Sequence, residues 1–162
     1  MYVLDSNVFI DAKNRHYGLD FVPGFWDWIV DQHKAGVVCS IDDVKKELEA
    51  IQDDLSTWAK NHSDLFLPID ASVQPSMQQL AAWATGPSGY SPAAANGFLA
   101  VADYPLVAYA HAHSHTVVTH ERSAPTSKKK IQIPDACTAL GVACIDPFAM
   151  LRTAQARFVQ AT

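Results

Sequence analysis

Five short apolar runs punctuate this chain: Tyr2-Val3-Leu4, Val37-Val38-Cys39, Phe66-Leu67, Thr116-Val117-Val118-Thr119 and Val142-Ala143-Cys144-Ile145. None shows the strict polar alternation of a strand with one wet face, so both faces of each are expected to be covered. Longer segments of helical character lie between them, and such a βαβ order specifies parallel strands joined by right-handed crossovers. The expected fold is therefore α/β: three α/β/α layers around a mainly parallel central sheet of four or five strands. At 162 residues the chain is long enough for one domain, expected to span 1–162. With 49% hydrophobic and 18% charged residues it is too apolar to be disordered.

Helix signals fill in the connections. Pro23 starts a predicted helix over residues 23–34 and Gly36 stops it. In the segment 40–58, Ser40 followed by Asp43 reads as a capping box, and Val44, Leu48, Ile51 and Leu55 fall on one helical stripe. Glu47 lies at the edge of that stripe, where buried face meets rim, whereas Glu49 points away. Asp54 shares the flank of Glu47 but stands about two turns farther from the helix start. Residues 77–84 read as another helix. The stretch 85–96, rich in Gly, Pro, Ser and Ala, reads as a loop. Asp103-Tyr104-Pro105 fits either an N-cap with proline in the first turn, or a helix already begun at Phe98 and kinked by Pro105. Residues 134–140, ended by Gly141, form a short predicted helix, and Asp146-Pro147 caps a last one running towards Arg157.

Charge and cysteine content exclude several classes. A formal charge of −5 argues against indiscriminate coating of nucleic acid, which depends on many phosphate neutralisations. It leaves room for a local patch, and Arg122 with Lys128, Lys129 and Lys130 forms the densest positive cluster, which also reads as a plain solvated loop. The apolar runs are too short to span a bilayer, and Met1 leads straight into the first one without a basic-then-apolar leader, so a cytoplasmic protein is expected. Cys39, Cys137 and Cys144 lack paired spacing and read as small buried hydrophobes.

The chemistry lies in the acids. Asp5 ends the opening run and Glu121 ends the run at 116–119, which places two carboxylates at strand ends, where open α/β sheets bind ligands. Glu47 and Asp103 join them as candidates. Unpaired carboxylates gathered in one place repel one another unless a cation neutralises them, and hard divalent ions prefer such oxygens. His111 and His115 have a zinc-ligand spacing, yet no accompanying H-E-x-x-H pattern, so a polar helix end is the simpler reading.

The pattern Val3-Leu4-Asp5-Ser6-Asn7, Glu47 on a helix after a second strand, Ala102-Asp103, and Val117-Val118-Thr119-His120-Glu121 resembles the PIN-domain family, which includes the VapC-type toxin ribonucleases. Glu121 stands where that family more often has Asp, and the stretch 122–135 looks like an insertion, with Asp135 as a possible additional acid. The resemblance implies hydrolysis of RNA phosphodiesters with Mg²⁺ or Mn²⁺ as cofactor. Asp5, Glu47, Asp103 and Glu121 would be the catalytic acids, with Asp5, Asp103 and Glu121 as metal ligands. Ser6, Asn7 and Thr119 would orient them. Lys128, Lys129 and Lys130 would meet the RNA backbone, and Trp26, Trp28, Tyr90 or Tyr104 could stack on bases, although helix tryptophans are more often core. A small antitoxin partner and a homodimer also follow from the resemblance. Two alternatives differ in class: a degenerate PIN-like module that binds RNA or protein, and a phosphatase or phospho-receiver domain, against which Asp5-Ser6-Asn7 lacks a second Asp.

Overall fold

The structure, a computed structural model, describes residues 1–159; residues 160–162 of the expected single domain lie outside the described residues. In chain order the elements are β1 (Tyr2–Leu4), α1 (Ser6–Asp11) with a π-helical turn at Ala12–His16, α2 (Pro23–Lys34), β2 (Val38–Ile41), α3 (Asp42–Ala50) and α4 (Asp54–Asn61). After a 3-10 turn come β3 (Phe66–Leu67), α5 (Gln74–Thr85), α6 (Pro92–Leu99), α7 (Asp103–Ala112), β4 (Thr116–Val118), α8 (Ile133–Leu140), β5 (Cys144–Ile145) and α9 (Pro147–Thr153). The sheet order is β3-β2-β1-β4-β5 and every pairing is parallel. The expected three-layer α/β/α architecture is what forms, with five strands.

The absence of polar alternation in the strands has the anticipated cause. Val3, Leu4, Val38, Cys39, Ile41, Val117 and Val118 are all buried, whichever face they occupy. Neighbouring helices add to one continuous core in which Phe9 packs against Trp58 and Phe66 with ring centroids 5.9 and 5.8 Å apart. Burying such side chains is worth roughly 1.5–3 kcal/mol each. Trp26, expected either to stack on bases or to fill the core, fills the core: it is buried and its Nε1 donates to the Tyr17 carbonyl at 2.6 Å.

Several boundaries differ from expectation. The segment 40–58 is not one helix. Ser40 belongs to β2, and instead of capping, its buried hydroxyl donates to the Leu4 carbonyl at 2.6 Å, tying β2 to β1. The helix stops after Ala50 because Gln52 adopts φ 54°, and Asp53 then caps α4 by accepting from Ser56 N at 3.0 Å. Ile51 is accordingly left 49% exposed, off the stripe it was assigned to. The presumed loop 85–96 contains the start of α6, capped by Ser91, which accepts from Ala94 N at 3.1 Å. The last helix ends at Thr153, short of Arg157, while Gly141 closes α8 at φ 69°, a left-handed conformation that suits glycine. Among the described residues no helix is long and apolar enough to cross a membrane.

Candidate active site

Because all strands are parallel, their carboxyl ends share one edge. The chain steps from β1 to β2 on one side and later returns to the other side of β1 as β4, so the strand order reverses between β1 and β4. A crevice opens outside the strand ends at such a switch point. Asp5 follows β1 directly and Thr119-His120-Glu121 follows β4, so the two segments face each other across that crevice. Asp5 N still donates to the Val118 carbonyl at 3.0 Å, which fixes the strand end in register, and its side chain is buried.

A compact hydrogen-bond relay holds the two ends together. Thr119 Oγ1 donates to Asp5 Oδ2 at 2.8 Å and accepts from Glu121 N and Asn7 Nδ2, both at 3.0 Å. Asn7 Oδ1 accepts in turn from His120 N at 3.0 Å, so Asn7 braces the two strand ends against each other. Ser6 Oγ makes a longer contact of 3.3 Å to Asp5 Oδ1. Replacing the buried Thr119 with Val keeps the shape while orphaning these partners. We expect Thr119→Val to cost about 1–3 kcal/mol in a denaturant titration, and wild-type stability in that variant would show the relay to be idle.

Glu47 and Asp103 arrive from helices. Glu47 sits at the edge of the buried stripe of α3, as its spacing indicated, and its Oε1 accepts from Ala102 N at 3.2 Å, which pins the start of α7. Asp103 is the first residue of α7. Neither reading of its role in secondary structure holds: Ala102 occupies the cap position with no side-chain cap, and α6 ends at Leu99, so there is no continuous kinked helix. Freed from capping, the Asp103 carboxylate faces the crevice. Pro105 falls in the first turn, where a missing N–H costs nothing.

The four acids line one cavity of about 450 Å³ together with Ser6, Asn7, Lys129 and Lys130, and with Phe98, Val101 and Gly97 as an apolar wall. Part of that wall belongs to α6 and was missed in the sequence; Ser91-Pro92 ahead of it carries the same cap-then-proline signal as Asp146-Pro147. Burial raises the Asp5 carboxyl to about 6, with Glu121 and Glu47 repulsion adding to it and the Thr119 hydrogen bond opposing it. Burial likewise raises Asp103 to about 7, reinforced by Asp5, Glu121 and Glu47 and countered by Lys130. Both acids therefore keep their protons to a higher pH than an ordinary carboxyl, because they are buried beside like charges. Hollows of about 600 Å³ occur elsewhere, one between Tyr17, Phe148 and Arg152, but it lacks acids.

Not every candidate joins this group. Glu121 lines the cavity, yet both of its oxygens are engaged: Lys130 Nζ donates to Oε1 and Ile133 N to Oε2, each at 2.7 Å. Asp135 is outside the cavity and buried, accepting from the Ser123 hydroxyl and from Ala124 N at 3.0 Å, so it anchors the loop after β4. Lys128 turns away from the acids and stacks its ammonium over the Tyr90 ring, 4.5 Å from the centroid. Tyr104 donates its hydroxyl to the Met77 carbonyl. Trp28 is partly buried at the edge of the core, beside Phe158. His111 pairs with Ser76, while His115 lies beyond α7, so the two do not share a helix face.

Carboxylate oxygens are the donor set that Mg²⁺ and Mn²⁺ prefer, and mutual repulsion among four acids is what a divalent cation would relieve. Among the described residues, however, no three His, Cys, Asp or Glu side chains converge closely enough to ligate one ion together. Mg²⁺ is commonly held through one or two carboxylates with water completing its shell. The site fits an ion held in that way: Glu121 is committed to Lys130 and Glu47 accepts from Ala102 N, which leaves Asp5 and Asp103 as the carboxylates that would hold it.

The all-parallel five-stranded sheet, with acids at its β1/β4 crevice, has a PIN-like α/β fold. Residues 2–158 match the family described as Domain of unknown function (DUF4411), and the chain belongs to that family. Two solved structures share the fold. The crystal structure of FitAcB from Neisseria gonorrhoeae is 21% identical with a TM-score of 0.54, over 91% of this chain and 99% of that one. The structure of FitAB bound to an IR36 DNA fragment is 20% identical with a TM-score of 0.55, over 91% and 96% of the respective chains. No curated protein matches the chain.

Proposed function

We propose that this chain is a Mg²⁺- or Mn²⁺-dependent endoribonuclease and the toxin half of a toxin–antitoxin pair. The observation that carries the reading is the gathering of Asp5, Glu47, Asp103 and Glu121, distant in sequence, around one cavity at the carboxyl edge of the sheet. In this reading Asp5 and Asp103 hold the cation, and Thr119 and Ser6 fix the Asp5 carboxylate in the orientation binding needs. Glu47 reaches the same space and accepts a proton from, or orients, water at the scissile phosphate. Lys129, on the cavity wall, meets the phosphate charge. A bound divalent cation would supply charge neutralisation at the phosphate and lower the pKa of water.

An RNase active in a cell requires restraint, and the proposed partner is a small antitoxin that places a basic or aromatic side chain against the acids. One structural relative, FitAB, is bound to a DNA fragment, and by analogy the antitoxin proposed for this chain is a DNA-binding one. One observation favours a second reading, a binding module without catalysis: Glu121, where the PIN-domain pattern more often has Asp, is saturated by Lys130 and Ile133. Incubating purified protein with end-labelled single-stranded RNA separates the two. We expect internal cleavage with Mn²⁺, none with EDTA, and growth arrest on expression without the partner. RNA left intact in Mn²⁺ by protein that also fails to bind Mn²⁺ would establish the binding module instead.

A further inference from the structure

The loop that follows β4 returns a positive charge to the acid cavity, and this arrangement has no local sequence signature. Lys130 Nζ sits 2.7 Å from Glu121 Oε1, while Ile133 N holds Oε2 at 2.7 Å. The loop is anchored on both sides of the lysine: Ile131 is buried, and Asp135 grips Ser123 and Ala124. Lys130 therefore reaches the cavity from a fixed base, and its charge also acts on Asp103 and Asp5. The Lys130 side chain is 61% exposed although that of Glu121 is only 16% exposed, and an ion pair with one partner in solvent contributes little to stability, so folding alone does not account for its placement.

We propose that Lys130 is a resident cation of the acid site: it withholds Glu121 from metal and restricts the site to one divalent ion. This rests on the metal-dependent reading given above. Four carboxylates carry enough charge for two divalent ions when fully ionised, and two-metal sites use such clusters. With Glu121 committed to an ammonium, the remaining acids are Asp5, Glu47 and Asp103, and Glu47 already accepts from Ala102 N. That leaves oxygens for one ion and supplies the second positive charge from the protein itself. Lys128 makes the natural control, since it carries the same charge in the same loop but lies over Tyr90.

The test is titration with Mn²⁺ alone, following free aqueous Mn²⁺ by its electron paramagnetic resonance signal, with thermal melts to confirm folding. Wild type, Lys130→Arg and Lys128→Met are expected to bind one ion each, and Lys130→Met two. Two ions bound by wild type, or one by folded Lys130→Met, would overturn the inference while leaving the nuclease reading in place. Two ions bound by Lys128→Met would overturn it by showing that loop charge alone sets the number. No Mn²⁺ bound by wild type would remove the metal reading and this inference with it.

Discussion

Asp103→Asn is expected to stabilise the metal-free protein at pH 8, by about 2 kcal/mol once the partial exposure of the group is allowed for. The sign follows from linkage. In the folded protein Asp103 is raised to about 7 and Asp5 to about 6, above the ordinary 3.8. Folding thus favours their protonated forms. The stability these groups contribute is fully present below about pH 4, and is lost as pH rises through 6 to 7. Asn carries no charge to desolvate or repel, so the variant escapes that loss. Burial pushes His115 and His120 the opposite way, below their ordinary value, so they favour folding as pH rises. Comparing variant with wild type cancels their contribution. The difference in melting temperature should be roughly 5 °C at pH 8 and shrink towards zero near pH 4. Saturating Mn²⁺ should stabilise wild type and narrow the gap. An Asp103→Asn protein that melts lower than wild type at pH 8 would mean that the carboxylate has a packing role instead.

Where the sequence was informative, the reason is local. An apolar run that ends on an acid places that acid at a strand end, so Asp5 and its neighbours Ser6 and Asn7 could be located from ten residues. The position of Glu47 followed from one helical stripe, and survived even though the stripe itself is cut after Ala50. The cut was invisible because Val44, Leu48 and Leu55 keep helical spacing across a break made by the backbone of Gln52 and the cap at Asp53. Ser40 likewise looked like a cap, but its hydroxyl is satisfied by a carbonyl 36 residues away. Composition concealed α6, since alanine and glycine in a row suggest a loop until Ser91 is recognised as a cap. The state of Glu121 depended on contacts that no spacing encodes: Lys130 and Ile133 reach it only because Asp135 and Ile131 fold the intervening loop back.

That loop also clarifies how the acids differ. Glu121 is neutralised by the protein, Glu47 is tied to the backbone of Ala102, and Asp103 is pushed towards its neutral form. Asp5 alone is both buried at a strand end and oriented by side-chain donors on each oxygen. It is thus the acid whose carboxylate the protein itself holds in a fixed orientation towards the cavity.

Asp5→Asn should consequently abolish RNA cleavage, by about a thousandfold or more, because charge stabilisation by a bound cation is worth several kcal/mol and each 1.4 kcal/mol is tenfold in rate. The substitution is nearly isosteric. An amide oxygen can still accept from Thr119 Oγ1, so the brace between Asn7, Thr119 and His120 need not change. What disappears is the negative charge, and with it the affinity for a hard cation. Three readings on one preparation decide the matter: the cleavage rate in Mn²⁺, the Mn²⁺ dissociation constant, and the metal-free melting temperature. The expected set is lost cleavage, weakened Mn²⁺ binding and a melting temperature equal to or above wild type. Cleavage at the wild-type rate would remove Asp5 from the active site, and cleavage lost together with the fold would make it a structural acid. A carboxylate raised to about 6 by burial is costly to maintain at neutral pH unless a cation meets it, which is why the first of these outcomes is the one the geometry favours.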